Sequence, residues 1–471
     1  MENHQLVKSF LEWESDSLLT NYKYKDLPYW NFLRNRFYEI YIFKDTKLSG
    51  LNEIKYNIRR NETIKIIFHL LKSLFVFIFI ANKIKKRQNF FLTYKSNNLR
   101  INNNVVNKFN YNIKKETKNK FLTLELSNLT SLNSNLSEID NVINIDFIYL
   151  LEKLSFINKT KIESDLSIIC ISFINFYYSI YKEHINDQVL LDETNNIVFR
   201  NLKRMKCINF IYKILQPKRI VLYSSYSPLN ILLQFYALKY NTEIEELQHS
   251  HIYSSHIGYL PPLSIKTEIY FPSRIYVFSN FYKNILENNN WNKNIVNIGN
   301  FIYNQNSIEK IIPNSNFKQI RKTLLIISQY SISKEISSFI TNSLLASEVS
   351  FNIIIKLHPS LIDKQIQDYS IFANRNDIII ERERTLFELF PYVDGVAGVY
   401  STGLIDAYNF GLRRIYVFNI KGSNFFDDLI HLGVFMLVNS ILEINMYDEN
   451  DSSNRIELFS EINNELIKKY F

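Results

Sequence analysis

Short apolar runs alternate with longer amphipathic stretches along most of the chain. "NFFLTY" (89–94), "FLTLEL" (121–126), "VINIDF" (142–147), "RIVLYSS" (219–225), "EIEELQ" (243–248) and "RIYVFS" (274–279) read as strands. A brief apolar run closed by polar residues suits a strand buried on both faces. Between several of them lie helix-like segments such as "SPLNILLQFYALKY" (227–240). The first hundred residues read mostly as helix, with Trp30, Leu33, Phe37 and Ile40 at helical spacing after "DLPYW". Pro28 fits the start of that helix.

A polar seam, "GNFIYNQNSIEKIIPNSNFKQ" (299–319), interrupts the pattern, and the alternation then resumes. Strands are expected at "KTLLIIS" (322–328), "FNIIIKLH" (351–358), "DIIIE" (377–381), "GVAGVY" (395–400) and "RIYVFN" (414–419). Helices are expected near 333–347 and 385–391 and from about 402. Strand–helix alternation of this kind makes parallel sheets covered on both faces. The expected fold class is therefore α/β, with two Rossmann-like domains. Residues 1–305 form the first, with a helical N-terminal extension, and 306–452 the second. Residues 453–471, with Ile456, Phe459, Ile462 and Leu466 at helical spacing, are expected to close the chain as a helix. Two such domains facing each other would turn both sets of strand carboxyl ends toward one cleft, where open α/β sheets bind ligands.

Composition narrows this only a little. The 471 residues are 46% hydrophobic and 15% aromatic, enough for sizeable cores. With only 9 Gly and 9 Pro beside abundant Asn, Ile and Lys, the skew resembles the drift of an AT-rich genome. Two cysteines cannot make a disulfide framework, so a reducing compartment is the default. A net charge of +9 with no long basic run argues against nucleic acid as a partner.

The stretch "IIFHLLKSLFVFIFIA" (66–81), broken by His69 and Lys72, falls short of the roughly 20 apolar residues of a spanning helix. It lies too far from Met1 to be a signal peptide. It reads as a buried helix. The alternative is a peripheral contact with the inner face of a membrane, the cluster Lys83, Lys85, Lys86 and Arg87 meeting anionic headgroups. A cytoplasmic protein is expected in both cases.

Three strand ends carry candidate chemistry. In "IIIKLHPS" (353–360), Pro359 stops the strand and holds His358 at the ligand-facing edge, where an imidazole can donate to a phosphate oxygen. Lys356 either adds positive charge nearby or faces solvent. In "GVAGVYSTGLIDAYNFG" (395–411), Ser401, Thr402 and Gly403 open a helix whose free N–H groups suit an anion. Gly403 would let a phosphate approach the backbone. The bland alternatives are a strand-capping histidine and an ordinary N-cap.

The third is "QHSHIYSSHIGY" (248–259), with three of the chain's eight histidines. His249 follows the strand "EIEELQ" and Glu246 lies three residues earlier, so both are general-base candidates. The spacing H-x-H-x4-H is not a helical metal pair, and no cysteine lies nearby to complete a zinc site. No metal site and no cofactor are expected.

Together and in this order, the stretches between about 215 and 420 resemble bacterial GT-B glycosyltransferases of surface-polysaccharide assembly. The resemblance is nearest to capsule-synthesis transferases, bacterial sialyltransferases and polysialyltransferases, and Kdo transferases. Teichoic-acid glycerophosphotransferases are more distant. Such proteins carry a His-Pro motif after a strand and a Ser or Ser-Thr motif before a helix, here His358-Pro359 and Ser401-Thr402. The resemblance implies that both grip the donor nucleotide. Many members also carry Gln-His-Gly followed by His-x-Gly-Tyr, matched here by Gln248-His249 and His256-Ile257-Gly258-Tyr259.

Ser250 stands where a glycine is common, and "EEL" (245–247) matches the sialyltransferase base motif only in part. The base is accordingly His249 or Glu246, with His249 preferred as the freer strand-end group. Gln248, His256 and Tyr259 would bind acceptor or donor sugar, and His251 has no task. Ser328 and Gln329, ending "LLIISQ", and Glu381, ending "DIII", would add donor contacts. The implied activity is metal-independent transfer of a sugar from a nucleotide donor, expected to be a CMP-linked acidic sugar such as sialic acid or Kdo. The implied acceptor is a glycan or lipid-linked saccharide. A CDP-polyol phosphotransferase and a non-catalytic glycan-binding scaffold are the alternatives.

Overall fold

The computed structural model describes residues 3–43, 60–84, 86, 88–95, 98–101, 104–118, 120–127, 142–264, 269–291, 293–302, 321–359, 362–446 and 456–471. The chain divides into two compact units, Met1–Asn304 with Ser460–Phe471, and Gln305–Phe459. Most of the polar seam, 303–320, lies outside the described residues.

The first unit is built on a sheet of seven strands: β1 (Asn89–Tyr94), β2 (Phe121–Leu126), β3 (Val142–Asn144), β4 (Arg219–Leu222), β5 (Glu243–Leu247), β6 (Arg274–Val277) and β7 (Asn294–Asn297). Their order is β7-β6-β5-β4-β1-β2-β3. Every pairing is parallel. The order in which strands are added therefore reverses between β1 and β4, which is the switch point where such sheets bind ligands.

Three N-terminal helices accompany the sheet: α1 (Asn3–Asp16), α2 (Trp30–Phe43) and α3 (Arg60–Ala81). Trp30, Leu33, Phe37 and Ile40 are all buried, as their spacing requires. Pro28 does not start α2. It sits in a short strand, Leu27–Pro28, paired with Lys23–Tyr24, and the helix begins at Trp30. Further on come α4 (Phe147–Leu154), α5 (Thr160–Tyr181), α6 (Asp187–Leu215) and α7 (Pro228–Tyr240). An aromatic cluster joins α1 and α5, with Trp13 stacked on Phe176 at 4.8 Å.

The shortage of glycine shows at helix ends. Three helices terminate in left-handed Lys182, Gln216 and Asn241, at φ of 56°, 45° and 50°, a position that usually takes glycine. Gly299 is kept where it is needed. It holds φ +78° against the Glu461 backbone, where no Cβ fits.

The second unit contains β8 (Thr323–Ile327), β9 (Asn352–Lys356), β10 (Ile378–Glu381), β11 (Gly395–Gly398), β12 (Ile415–Phe418) and β13 (Met436–Val438). The order β10-β9-β8-β11-β12-β13 is all parallel. Counted within the unit this is 3-2-1-4-5-6, the doubly wound dinucleotide-binding arrangement. Helices α8 (Ser333–Ala346), α9 (Ile362–Asp368) and α10 (Gly403–Phe410) lie between its strands in sequence. The chain is thus an α/β protein of two Rossmann-like units.

The closing helix is shorter than its spacing suggested. α11 spans Asn464–Tyr470, where the Asn463 side chain caps the Leu466 amide at 3.0 Å. Ile456 and Phe459 precede it in irregular chain, and 451–455 lie outside the described residues.

Candidate functional site

In the second unit, three neighbouring strand ends bring the expected donor residues together. β8 runs into Ser328 and Gln329, β9 into His358, and β11 into Tyr400 and Ser401. β8 and β11 flank the switch point, and β9 adjoins β8. One buried side chain organises two of these ends. Gln365 of α9 accepts from the His358 amide at 3.0 Å and from the Ser328 hydroxyl at 2.9 Å, and donates to the His358 carbonyl at 2.8 Å. Tyr369 donates to Ser328 Oγ at 2.8 Å. The Ser328 hydroxyl is thereby committed to holding the loop. Gln329 Oε1 accepts the Tyr400 amide at 3.2 Å and ties the β8 end to the β11 end.

His358 is half-buried and Pro359 exposed. Burial, with Lys356 nearby, holds the His358 imidazole below its usual pKa. A neutral ring can still donate one N–H to a phosphate. Lys356 itself does not face solvent. It is buried and donates to the Arg382 carbonyl at 2.8 Å.

At the start of α10, Ser401 rather than Thr402 supplies the cap. Ser401 Oγ accepts the Gly403 amide at 3.2 Å, and Thr402 is exposed. Gly403 has a role different from the one expected. A Cβ there would stand 2.7 Å from a Leu386 methyl and 2.8 Å from an Ile327 methyl, so the missing side chain serves helix–strand packing. Glu381 ends β10, and its Oε1 accepts the amides of Glu383 and Arg384 at 2.8 and 3.1 Å. Burial raises its carboxyl, but those amides outweigh it and hold it below the usual range.

In the first unit, Glu246 lies within β5 and His249 two residues past its end. Glu246 is wholly buried. Its Oε1 accepts the Tyr259 hydroxyl at 2.6 Å, while Oε2 has no hydrogen-bond partner among the described residues. Burial pushes its carboxyl up to about 7, against the nearby Ser225 and Tyr259 hydroxyls. His249 is half-buried, and burial followed by the charge of Lys108 lowers its imidazole to about 4. It is neutral at pH 7 and carries a lone pair.

The β4 end supplies a partner that the sequence did not single out. Ser224 lies in the left-handed region at φ +53°, and its Oγ is 2.7 Å from His249 Nε2. Asn230, buried on α7, donates to the carbonyls of Tyr223 and Ser224 at 2.6 and 3.0 Å and fixes this turn. Tyr226 adds its hydroxyl 3.5 Å from the same imidazole nitrogen.

The remaining residues of the histidine-rich stretch are scaffold. Gln248 donates to the Ser250 carbonyl and accepts the Phe278 amide, both at 2.9 Å, so both ends of its amide are used on backbone. His256 Nδ1 accepts the Gly258 amide at 3.1 Å, and its ring packs among Tyr226, Tyr253 and Tyr259. Tyr259 acts through Glu246. His251 is buried against Tyr282. Burial lowers His251 and His256 to about 3.

The loop is pinned from α2. Arg34 donates to the carbonyls of Ile257 and Leu260 at 2.7 and 3.0 Å. It also forms a buried pair with Glu14, at 2.5 and 2.9 Å. Tyr38 donates to the Ser255 carbonyl at 2.7 Å. Among the described residues, no group of three or more His, Cys, Asp or Glu side chains is arranged to hold a metal ion.

No protein-family model and no curated protein matches this chain. Solved structures similar to it include a putative UDP-N-acetylglucosamine 2-epimerase from Listeria monocytogenes, 8% identical, covering 80% of this chain and 88% of that one at a TM-score of 0.44. The UDP-GlcNAc 2-epimerase from Neisseria meningitidis, bound to UDP-GlcNAc, is 9% identical over 75% and 88%, also at 0.44. MurG from Acinetobacter baumannii is 9% identical over 74% and 85%, at 0.40. Likenesses this distant leave the chemistry to be read from the chain's own residues.

Proposed function

We propose that the chain is a nucleotide-sugar-dependent glycosyltransferase whose second unit holds the donor and whose first unit supplies the base. The observation that carries this reading is the meeting of His358, Gln329 and the Ser401-capped helix start on adjoining strand ends of a 3-2-1-4-5-6 sheet. A diphosphate or monophosphate leaving group at that edge would receive donors from the His358 ring and from the α10 amides.

In the reaction, the bond between the anomeric carbon and the donor phosphate oxygen breaks, and the acceptor oxygen bonds to that carbon. The acceptor proton goes to the base. Accessibility favours His249 over Glu246, because a wholly buried carboxylate is out of reach of an incoming hydroxyl. A low pKa makes His249 a weak base, so positioning by Ser224 has to compensate.

The donor we favour is a CMP-linked acidic sugar, and the acceptor a glycan or lipid-linked saccharide of capsule or lipopolysaccharide synthesis. The motif order from Gln248 to Thr402 supports this finer choice. Calorimetry with CMP, CDP and UDP, followed by transfer assays with their sugar conjugates and His358→Ala, tests it. Tightest binding of CMP is expected, with CMP-sugar turnover lost in His358→Ala. Preference for UDP would replace the donor, and CDP-polyol transfer would make the chain a phosphotransferase. Turnover of no donor, or full activity in His358→Ala, would overturn the reading.

A further inference from the structure

Helix α3 packs by one face only. Leu70, Ser73, Phe77 and Ala81 are buried. Ser73 Oγ donates to Asn144 Oδ1 at 2.7 Å, and His69 Nε2 lies 2.9 Å from Asp146 Oδ2. Phe77 meets Phe147 of α4 with ring centroids 4.8 Å apart. These contacts fix the rotation of the helix about its axis.

The face they leave outward is apolar. Phe68 and Phe75 are each 70% exposed and Phe79 is 62% exposed, with Ile67, Leu71 and Ile78 beside them. At 3.6 residues per turn, these six positions occupy about one third of the circumference. Lys65 and Lys72 are exposed along one border of that arc. Just past the helix, Lys83 sets its ammonium 4.0 Å from the Phe79 ring centroid, and Lys86 is exposed beyond it. Lys85 and Arg87 lie outside the described residues. From Ile64 to Gln88 the chain has no acidic residue. No described helix is long and apolar enough to cross a membrane.

We infer that α3 is an interfacial helix that lays its Phe68–Phe75–Phe79 face into the surface of a bilayer carrying anionic lipids, with the lysine border at headgroup level. An exposed apolar arc of this size is costly in water unless something covers it. Its chemistry fits lipid: aromatic and aliphatic side chains for the acyl boundary, and basic side chains without counter-charge for anionic headgroups. A second copy fits poorly. An isologous pairing over this arc would set one lysine border beside another, with no carboxylate from this segment between them. The inference uses no residue of the transferase reading, so each stands or falls alone.

The full chain is to be floated with phosphatidylcholine vesicles, with and without phosphatidylglycerol, as wild type, as the triple variant Phe68→Ser, Phe75→Ser, Phe79→Ser, and as Lys65→Glu, Lys72→Glu. Wild type is expected to float only with phosphatidylglycerol present. The triple variant should lose roughly tenfold or more of the bound fraction, and each reversed lysine about fivefold. Because the phenylalanines are exposed, the triple variant should melt with wild type. Independently, Phe75→Trp should shift its emission to the blue on adding anionic vesicles. No flotation of wild type, equal flotation on both vesicles, or undiminished flotation of the triple variant would overturn the inference. So would a wild-type dimer that the triple variant dissolves while neither binds vesicles.

Discussion

Ser224 Oγ stands 2.7 Å from Nε2 of His249, on a serine whose backbone is held at φ +53°. The two residues end neighbouring strands, β4 and β5, so the sheet itself sets their separation. Ser224→Gly relieves a left-handed backbone costing about 1–2 kcal/mol in an L-residue, and Ser224→Ala does not. The glycine variant is therefore expected to be at least as stable as the alanine variant in urea denaturation. Both should lower kcat by about tenfold or more with little change in KM, since both free the imidazole. Unchanged kcat in both would remove Ser224 from the mechanism.

Gln365 offers a test confined to the second unit. Gln365→Leu removes its hydrogen bonds with the His358 amide, the His358 carbonyl and the buried Ser328 hydroxyl, at about 1 kcal/mol for each bond lost. A lowered denaturation midpoint and weaker nucleotide binding by calorimetry are the expected results. Retained nucleotide affinity would mean that the His358 loop does not need this clamp.

The pair Arg34–Glu14 is buried on both sides. Arg34→Met leaves a carboxylate without its counter-charge and frees two loop carbonyls, for a loss of about 3–5 kcal/mol. Adding Glu14→Leu should recover most of that. A double variant no more stable than the single would mean that the loop contacts to Ile257 and Leu260, rather than the charge, dominate.

Acid should destabilise the first unit above the range in which carboxylates titrate. His249, His251 and His256 are lowered from 6.5 to about 4, 3 and 3. Below pH 6.5 the unfolded chain takes up protons at these positions that the folded chain refuses, so their stabilising contribution, complete above 6.5, fades as pH falls. Glu246, raised from 4.5 to about 7, works in the opposite sense between those values. Three groups outweigh one. The melting temperature should fall from pH 7.5 to pH 5.5, and less steeply in His256→Asn. A flat profile would show that the rings are protonated without penalty.

Much of this architecture could be read before any coordinates. The apolar cores of the strands at 323–327 (Leu324–Ile327) and 352–356 (Ile353–Ile355) are uninterrupted because both their faces are covered, and such runs are conspicuous. Edge strands Asn294–Asn297 and Met436–Val438 are short and half-exposed, and they escaped notice for that reason. His249, His358 and Ser401 were legible because a strand or helix boundary falls beside each. Ser224, Gln365 and Arg34 were not. A serine carries no mark of positive φ, "IDKQIQD" looks like any polar helix, and a charge paired across a fold has no local signature. Gly403 was legible as a glycine but not as a packing glycine, since Leu386 comes from another helix.

The return of residues 460–471 to the first unit has a consequence for the order in which the chain matures on the ribosome. Phe471 packs on Phe91, Phe121 and Tyr276, and the Tyr470 carbonyl accepts from Arg219. The second unit is a continuous segment and can acquire its native core as soon as it has emerged. The first unit begins earlier but holds an open place in its sheet packing until residues 460–471 are made. Synthesis order and completion order are thus reversed, and the earlier unit is the one that waits for the later one before its fold is sealed.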